Sequence, residues 1–213
     1  MIVRDLGEME YHAAWDIQRE VAESVLARGE DTLLLVVHPP VLTLGANFHE
    51  ENLLFTPAQY AERGIAVERT DRGGDVTYHG PGQLVVYPIF DVSRHGKDLH
   101  RWMRDLEETM LLTCAHFGLV ARRFPPHTGA WIGDLKIAAI GVKMRRWVST
   151  HGIALNVEET PEAFSLIVPC GIQGYGVTSL SQELGRPVGL DEVRSVVVSA
   201  FTQVFGPKNA PQS

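Results

Sequence analysis

The helix-like and strand-like segments of this chain do not alternate, and that order constrains its architecture more than any other feature. An amphipathic helix comes first, in EYHAAWDIQREVAESVLARGED, where Ala14, Ile17, Val21 and Val25 recur at spacings of three or four and Gly29 follows as a stop. Strand signals then accumulate. DTLLLVVHPPVLTLG holds two runs broken by Pro39-Pro40, a short helix is expected near Pro57 to Glu62, and IAVERTD and QLVVYPIFDV add further strands. A second long helix spans about Asp98 to Phe117, with Leu99, Trp102, Met103, Leu106, Met110, Cys114 and Phe117 on one stripe, which assigns Cys114 to the core. AWIGDLKIAAIGVKM, RWVSTHGIALNV and FSLIVPCGI read as successive strands. GLDEVRSVVVSAFTQVFG closes the chain as a helix, with Asp191 and Glu192 in its first turn and Gly206 after its end. Without β-α-β alternation the expected class is α+β, a mixed and largely antiparallel sheet with flanking helices. One domain is expected over residues 1–213, with its core at about 3–205 and a short disordered C-terminal tail.

Charge narrows the partners. Nineteen lysines and arginines against 26 acidic residues give a net charge of −7, which argues against a general grip on nucleic-acid phosphates. The one basic run, KMRRW at 143–147 with Arg122 and Arg123, is a docking candidate for an anionic partner, against the plainer reading of a solvated strand or turn. Two cysteines are too few for a disulfide framework, no leader-like segment opens the sequence, and LLLVV at 33–37 is far short of the roughly 20 residues of a membrane span. A cytoplasmic protein that crosses no membrane is expected.

RGGDVTYHGPGQ, at 72–83, precedes an apolar strand with little side chain of its own. Glycine lets backbone approach a ligand closely, so this segment reads as one wall of a slot, edged by the donors Arg72 and His79; the alternative is a pair of tight turns around a hairpin. It matches neither the P-loop nor the dinucleotide fingerprint. The strand after it suits a narrow slot for something hydrophobic with a polar end.

Cys170 lies in PCGIQGYG, a turn-rich stretch that would leave the thiol reachable; an inert buried cysteine is the alternative. A thiol with an ordinary pKa of about 8.5 is only a few per cent ionised at neutral pH, so a nucleophilic role calls for a nearby cation or base. Of the four lysines, Lys136 alone sits in an apolar strand, DLKIAAIG, with Ala138 and Ile140 on its own face. It either snorkels outward or is held in a partly dry site where its pKa falls, and there it would favour a thiolate and shuttle protons. His79 and His151 are competing bases. Neither metal-ligand spacing nor a serine-hydrolase elbow is present.

RGGDVTYHGPGQL, KIAAIGV, HGIALNV and PCGI, in that order, resemble the lipoyl(octanoyl) transferases of the lipoate-protein ligase B family, from about Val3 through the final helix. The resemblance implies the fold of lipoate and biotin protein ligase catalytic domains. It also implies transfer of an octanoyl group from acyl carrier protein to a lysine of apo lipoyl domains, those of 2-oxoacid dehydrogenase complexes and of the glycine cleavage H protein. It places the acyl-thioester cysteine at Cys170 and the catalytic lysine at Lys136. It places acyl-chain contacts at Arg72, Gly73, Gly74, Asp75, Val76, Thr77, Tyr78 and His79, at Ala139, Ile140 and Gly141, and at Gly152, Ile153 and Ala154. No cofactor is implied, octanoyl-phosphopantetheine being a substrate. Ala130 departs from a family pattern that more often has valine, a change expected to alter pocket depth. Two rival readings stand beside this one: an ATP-dependent lipoate or biotin ligase of the same fold, which needs no nucleophilic cysteine, and a non-catalytic carrier-binding module.

Overall fold

A computed structural model describes residues 1–158, 164, 166, 167 and 175–206. Its elements are β1 (Ile2–Glu8), α1 (Tyr11–Arg28), β2 (Thr32–Val37), β3 (Val41–Leu44), α2 (Pro57–Ala61), β4 (Ala66–Arg69), β5 (Val76–His79), β6 (Gln83–Ile89), α3 (Leu99–His116), β7 (Arg122–Phe124), β8 (His127–Ile132), β9 (Leu135–Arg145), β10 (Val148–Asn156), β11 (Gly176–Val177), α4 (Leu180–Leu184) and α5 (Leu190–Phe205). Seven strands run in the order β1-β2-β6-β10-β9-β8-β7, with β11 added beside β9, and β4-β3-β5 form a second, small sheet. Among the described strands, only β1 with β2, β11 with β9 and β4 with β3 are parallel. This is the α+β, largely antiparallel architecture that the order of segments predicts.

The large sheet is buried on both faces, and the alternation along β2 shows how. Leu34 and Val36 meet α1 through Ala14, Val21 and Val25, together with Val85 and Tyr87 of β6. Leu33 and Leu35 face the other way, into a cluster built by Trp102, Leu106 and Met110 of α3 and Val193, Val197 and Phe201 of α5. Gly29 ends α1 in the left-handed region, at φ 75°, as its position after the last apolar repeat predicts. Asp98 caps α3 by accepting hydrogen bonds from the N–H groups of His100 and Arg101.

Four expectations need correction. FSLIV is not a ladder strand where it is described: Ile167 makes a single bridge to Leu53, and Phe164 and Leu166 pack with it against the small sheet. Ile167 is buried there and Phe164 and Leu166 are half-buried, held by packing more than by strand pairing. Leu99 does not belong to the core stripe of α3, since the first turn overhangs a cavity and leaves Leu99 45% exposed. Ala130 does not border that cavity; it is fully buried in the main core, opposite Ala138. The basic run also fails to form one patch with Arg122 and Arg123. Arg146 and Trp147 form the β9–β10 hairpin turn, both with positive φ, and Arg145 and Arg146 face Glu23. Arg122 holds the carbonyl of Gly133 at the opposite end of the eleven-residue β9.

Candidate active site

The site originates in an unequal pairing of β9. On one side it is matched to β10 from Ala138 to Arg145, but on the other β8 accompanies it only from Leu135 to Ala138. The register shifts between Ala130 and Trp131, with Ile137 of β9 as the extra, unpaired residue, and the β8 pairing ends there. The stretch from Ala139 onward therefore has an open edge, and a cavity of about 930 Å³ lies along it. Its walls include Ala139, Ile140, Gly141, Val142 and Met144 of β9, Gly152, Ile153 and Ala154 of β10, Leu99 and Met103 of α3, Pro126 of the β7–β8 turn, and His127 and Thr128 at the start of β8.

The glycine-rich segment closes part of that edge. The N–H of Gly73 donates to the carbonyl of Val142 at 2.9 Å, so backbone lies directly on backbone. Two glycines make the approach possible. A Cβ on Gly141 would stand 2.8 Å from the carbonyl oxygen of Gly73, and one on Gly45 would stand 2.2 Å from that of Gly74. Arg72 is buried and spends its donors on the framework, reaching Thr43 Oγ1, the Thr43 carbonyl and the Gly73 and Asp75 carbonyls. Asp75 accepts from the N–H of His49 and from Asn52. Arg72, Gly73, Gly74, Asp75, Thr77 and His79 border the cavity. Val76 and Tyr78, on the alternate face of β5, point instead into the small-sheet core with Leu42, Leu44 and Tyr60.

Lys136 is buried at the cavity wall, with Nζ 4.9 Å from the ring centroid of Trp131, its cross-strand partner. Its carbonyl accepts from the N–H of Thr178 at 3.0 Å, where β11 takes over from β10 as the neighbour of β9. Cys170 lies outside the described residues. The other cysteine is no substitute: burial pushes the Cys114 thiol up to about 12, so it stays protonated.

Three histidines stand at or beneath the cavity floor, and hydrogen bonding fixes the protons of each. His38 donates from Nδ1 to the carbonyl of Met9 and accepts at Nε2 from the Tyr87 hydroxyl, at 2.7 and 2.8 Å. His151 donates from Nε2 to Asp71, at 2.8 Å, and accepts at Nδ1 from the Tyr11 hydroxyl. Its backbone is left-handed, at φ 57°, and its N–H turns aside to Gln18. Burial lowers the pKa of all three, to about 4 for His38 and about 3 for His79, and pushes Tyr11 up to about 12. The aromatic groups of the floor are thus neutral at physiological pH, with their donors already engaged by protein acceptors. Among the described residues no three His, Cys, Asp or Glu side chains converge as a metal site. Sequence reading missed Tyr11, Tyr87, Leu99, Met103 and His127 as cavity residues. Only the three-four spacing of Leu99 and Met103 along a helix hinted that they share a surface.

The lipoyl protein ligase A/B catalytic domain family matches residues 10–202. The chain belongs to that family. It is 49% identical, over 210 residues, to a protein of Chloroflexus aurantiacus named octanoyltransferase, a match covering 96% of this chain and 94% of the relative. Its class is therefore that of an acyltransferase. The fold is shared more widely. A lipoate-protein ligase A bound with ATP superposes with a TM-score of 0.76 at 19% identity, covering 96% of this chain and 85% of that one. A biotin protein ligase from Aquifex aeolicus, in complex with biotin and ATP, gives 0.56 at 13% identity, over 95% and 69%. No helix among the described residues is long and apolar enough to cross a membrane.

Proposed function

We propose that this chain moves an octanoyl group from acyl carrier protein to a lysine of apo lipoyl domains, in 2-oxoacid dehydrogenase complexes and the glycine cleavage H protein, as a cytoplasmic enzyme. Cys170 carries the acyl group between the two halves of the reaction. Thioester is exchanged for thioester, so no ATP enters. The observation that carries this reading is a lysine buried at the wall of a long cavity whose lining is apolar along β9 and neutral at its floor. Each methylene buried there contributes about 0.8 kcal/mol, so the seven carbons beyond an octanoyl carbonyl supply about 6 kcal/mol for holding the chain.

In the first half, the Cys170 thiolate attacks the donor carbonyl, an acyl–sulfur bond forms, and the pantetheine sulfur leaves with a proton from Lys136. In the second, the acceptor amine attacks the enzyme thioester. That amine, at an ordinary pKa of about 10.4, is uncharged only about once in 2,500 at pH 7, so it needs a base, and Lys136 takes its proton. The Cys170 thiolate is released as the amide forms. His79 and His151 fit this role less well, since both ring nitrogens of each already have hydrogen-bond partners.

Intact-mass analysis after mixing with octanoyl acyl carrier protein, with and without ATP, tests the reading. An octanoyl adduct is expected without ATP, absent in Cys170→Ala, while Lys136→Ala keeps the fold and loses transfer. A normal adduct in Cys170→Ala, or strict dependence on ATP and free acid, overturns it.

A further inference from the structure

Arg72, His79 and Gln83 of the glycine-rich segment have a shared use that extends beyond the cavity. We propose that Gln83 and Asn156 are positioning residues for the transfer. They are the middle links of one directed hydrogen-bond chain, Arg72 to Thr43 to His79 to Gln83 to Asn156 to Thr178, which holds β11 against β9 at Lys136. The functional part of this inference rests on the role proposed above for Lys136; the chain itself does not.

Its direction follows from the partners alone. Asn156 faces the carbonyl of Thr178 at 3.0 Å, and a carbonyl only accepts, so the atom there is the amide nitrogen and Oδ1 is turned to Gln83. Gln83 faces both the Tyr78 carbonyl and Asn156 Oδ1 with one atom, at 3.2 and 3.0 Å, and that atom must be its nitrogen. Its oxygen then lies 2.7 Å from His79 Nδ1, which must carry the ring proton. Thr43 Oγ1 accepts from Arg72 Nε and Nη2, leaving its own hydrogen for His79 Nε2 at 3.4 Å, the longest link. Every donor points the same way, from a guanidinium at one end to a peptide carbonyl at the other. Bonds aligned like this polarise one another. Burial keeps His79 neutral, as the chain requires.

All six residues are buried, so each unmade link would leave a desolvated polar group. The far end is where this matters for chemistry. Thr178 donates its N–H to the carbonyl of Lys136, and Val177 pairs with Lys136 in the β11–β9 ladder. Asn156 is the last residue of β10, so its amide bridges the strand that ends and the strand that replaces it. Neither Gln83 nor Asn156 borders the cavity.

The test uses Asn156→Asp, which keeps the shape but has no donor for Thr178, and Gln83→Glu, which still accepts from His79 but donates to nothing. Each is expected to lower kcat at least about tenfold while KM for octanoyl acyl carrier protein and for the acceptor domain stays within about twofold. In Asn156→Asp the Thr178 amide should exchange with solvent at least about tenfold faster while the other strands of the large sheet stay protected. In the wild type, imidazole nitrogen resonances should show His79 protonated at Nδ1. An Nε2–H tautomer, unchanged Thr178 exchange, or loss of protection across the whole sheet overturns the chain. Unchanged kcat with faster Thr178 exchange overturns the positioning role. If wild-type enzyme transfers no octanoyl group, the functional reading fails, and the tautomer and exchange measurements still decide the chain.

Discussion

Acid should unfold this protein through histidines that are neutral in the fold, and His38 allows the effect to be isolated. It is fully buried, donates to the Met9 carbonyl and accepts from Tyr87, and burial holds its pKa near 4. In the unfolded chain it titrates near 6.5. The folded value lies below the unfolded one, so between these values the unfolded state binds a proton that the folded state refuses. Stability is then complete above about pH 6.5 and is lost as pH falls toward 4, at about 1.4 kcal/mol per pH unit, or about 3 kcal/mol across the window. His79, centred 5.8 Å away, adds to the loss in the same direction. Carboxylates contribute as well, so the total slope is not diagnostic, but a difference between two proteins is. Urea unfolding of wild type and His38→Gln, from about pH 7 to about pH 4.5, should give lines whose slopes differ by about one proton, about 1.4 kcal/mol per unit, with the variant shallower. Parallel lines would mean that His38 already takes up a proton in the fold and would refute the neutral floor.

Gly141→Ala places a methyl 2.8 Å from the Gly73 carbonyl oxygen and 3.4 Å from Arg72 Cδ, so the glycine-rich segment must lift from β9. A loss of about 1–3 kcal/mol in thermal unfolding and weaker formation of the octanoyl adduct are expected; wild-type behaviour in both would contradict the close contact. Glu107→Gln weakens the buried carboxylate that holds Arg104, Arg123 and the Gly129 N–H, and with them the β7–β8 turn at the cavity rim. Chemical unfolding should register about 2 kcal/mol, and transfer should show a raised KM.

How much of this was legible in the sequence depends on whether the signal was local. The helices α1, α3 and α5 carry periodicity and stop residues within one window, and their expected limits agree with the structure to within a residue or two at most ends. β1 was missed because it is an edge strand with one neighbour and mostly exposed side chains, so IVRDLGE shows no alternation to detect. FSLIV was read as a strand because its composition fits one, and composition does not reveal whether an edge is available to pair with. Lys136 was conspicuous as a charge inside an apolar run. The neutral floor had no such marker: His38 depends on Met9 and Tyr87, and Gln83 reaches Asn156 73 positions further on, so those roles exist only once the strands have met.

The glycine-rich segment was expected to be bare so that a ligand could rest on it, and the contacts give the bareness a further cause. Gly73 and Gly74 lie on Gly141 and Gly45, so at both places peptide touches peptide across a gap that no Cβ fits. Gly152 repeats the arrangement inside the sheet, where a Cβ would stand 2.1 Å from the carbonyl of Val86. These glycines set how closely the segment lies on the open edge of β9, and that separation determines where the cavity can be. A larger residue at 141 would therefore not narrow the slot as a bulky wall residue does. It would displace a wall, together with the Arg72 end of the chain that leads to Thr178 and Lys136.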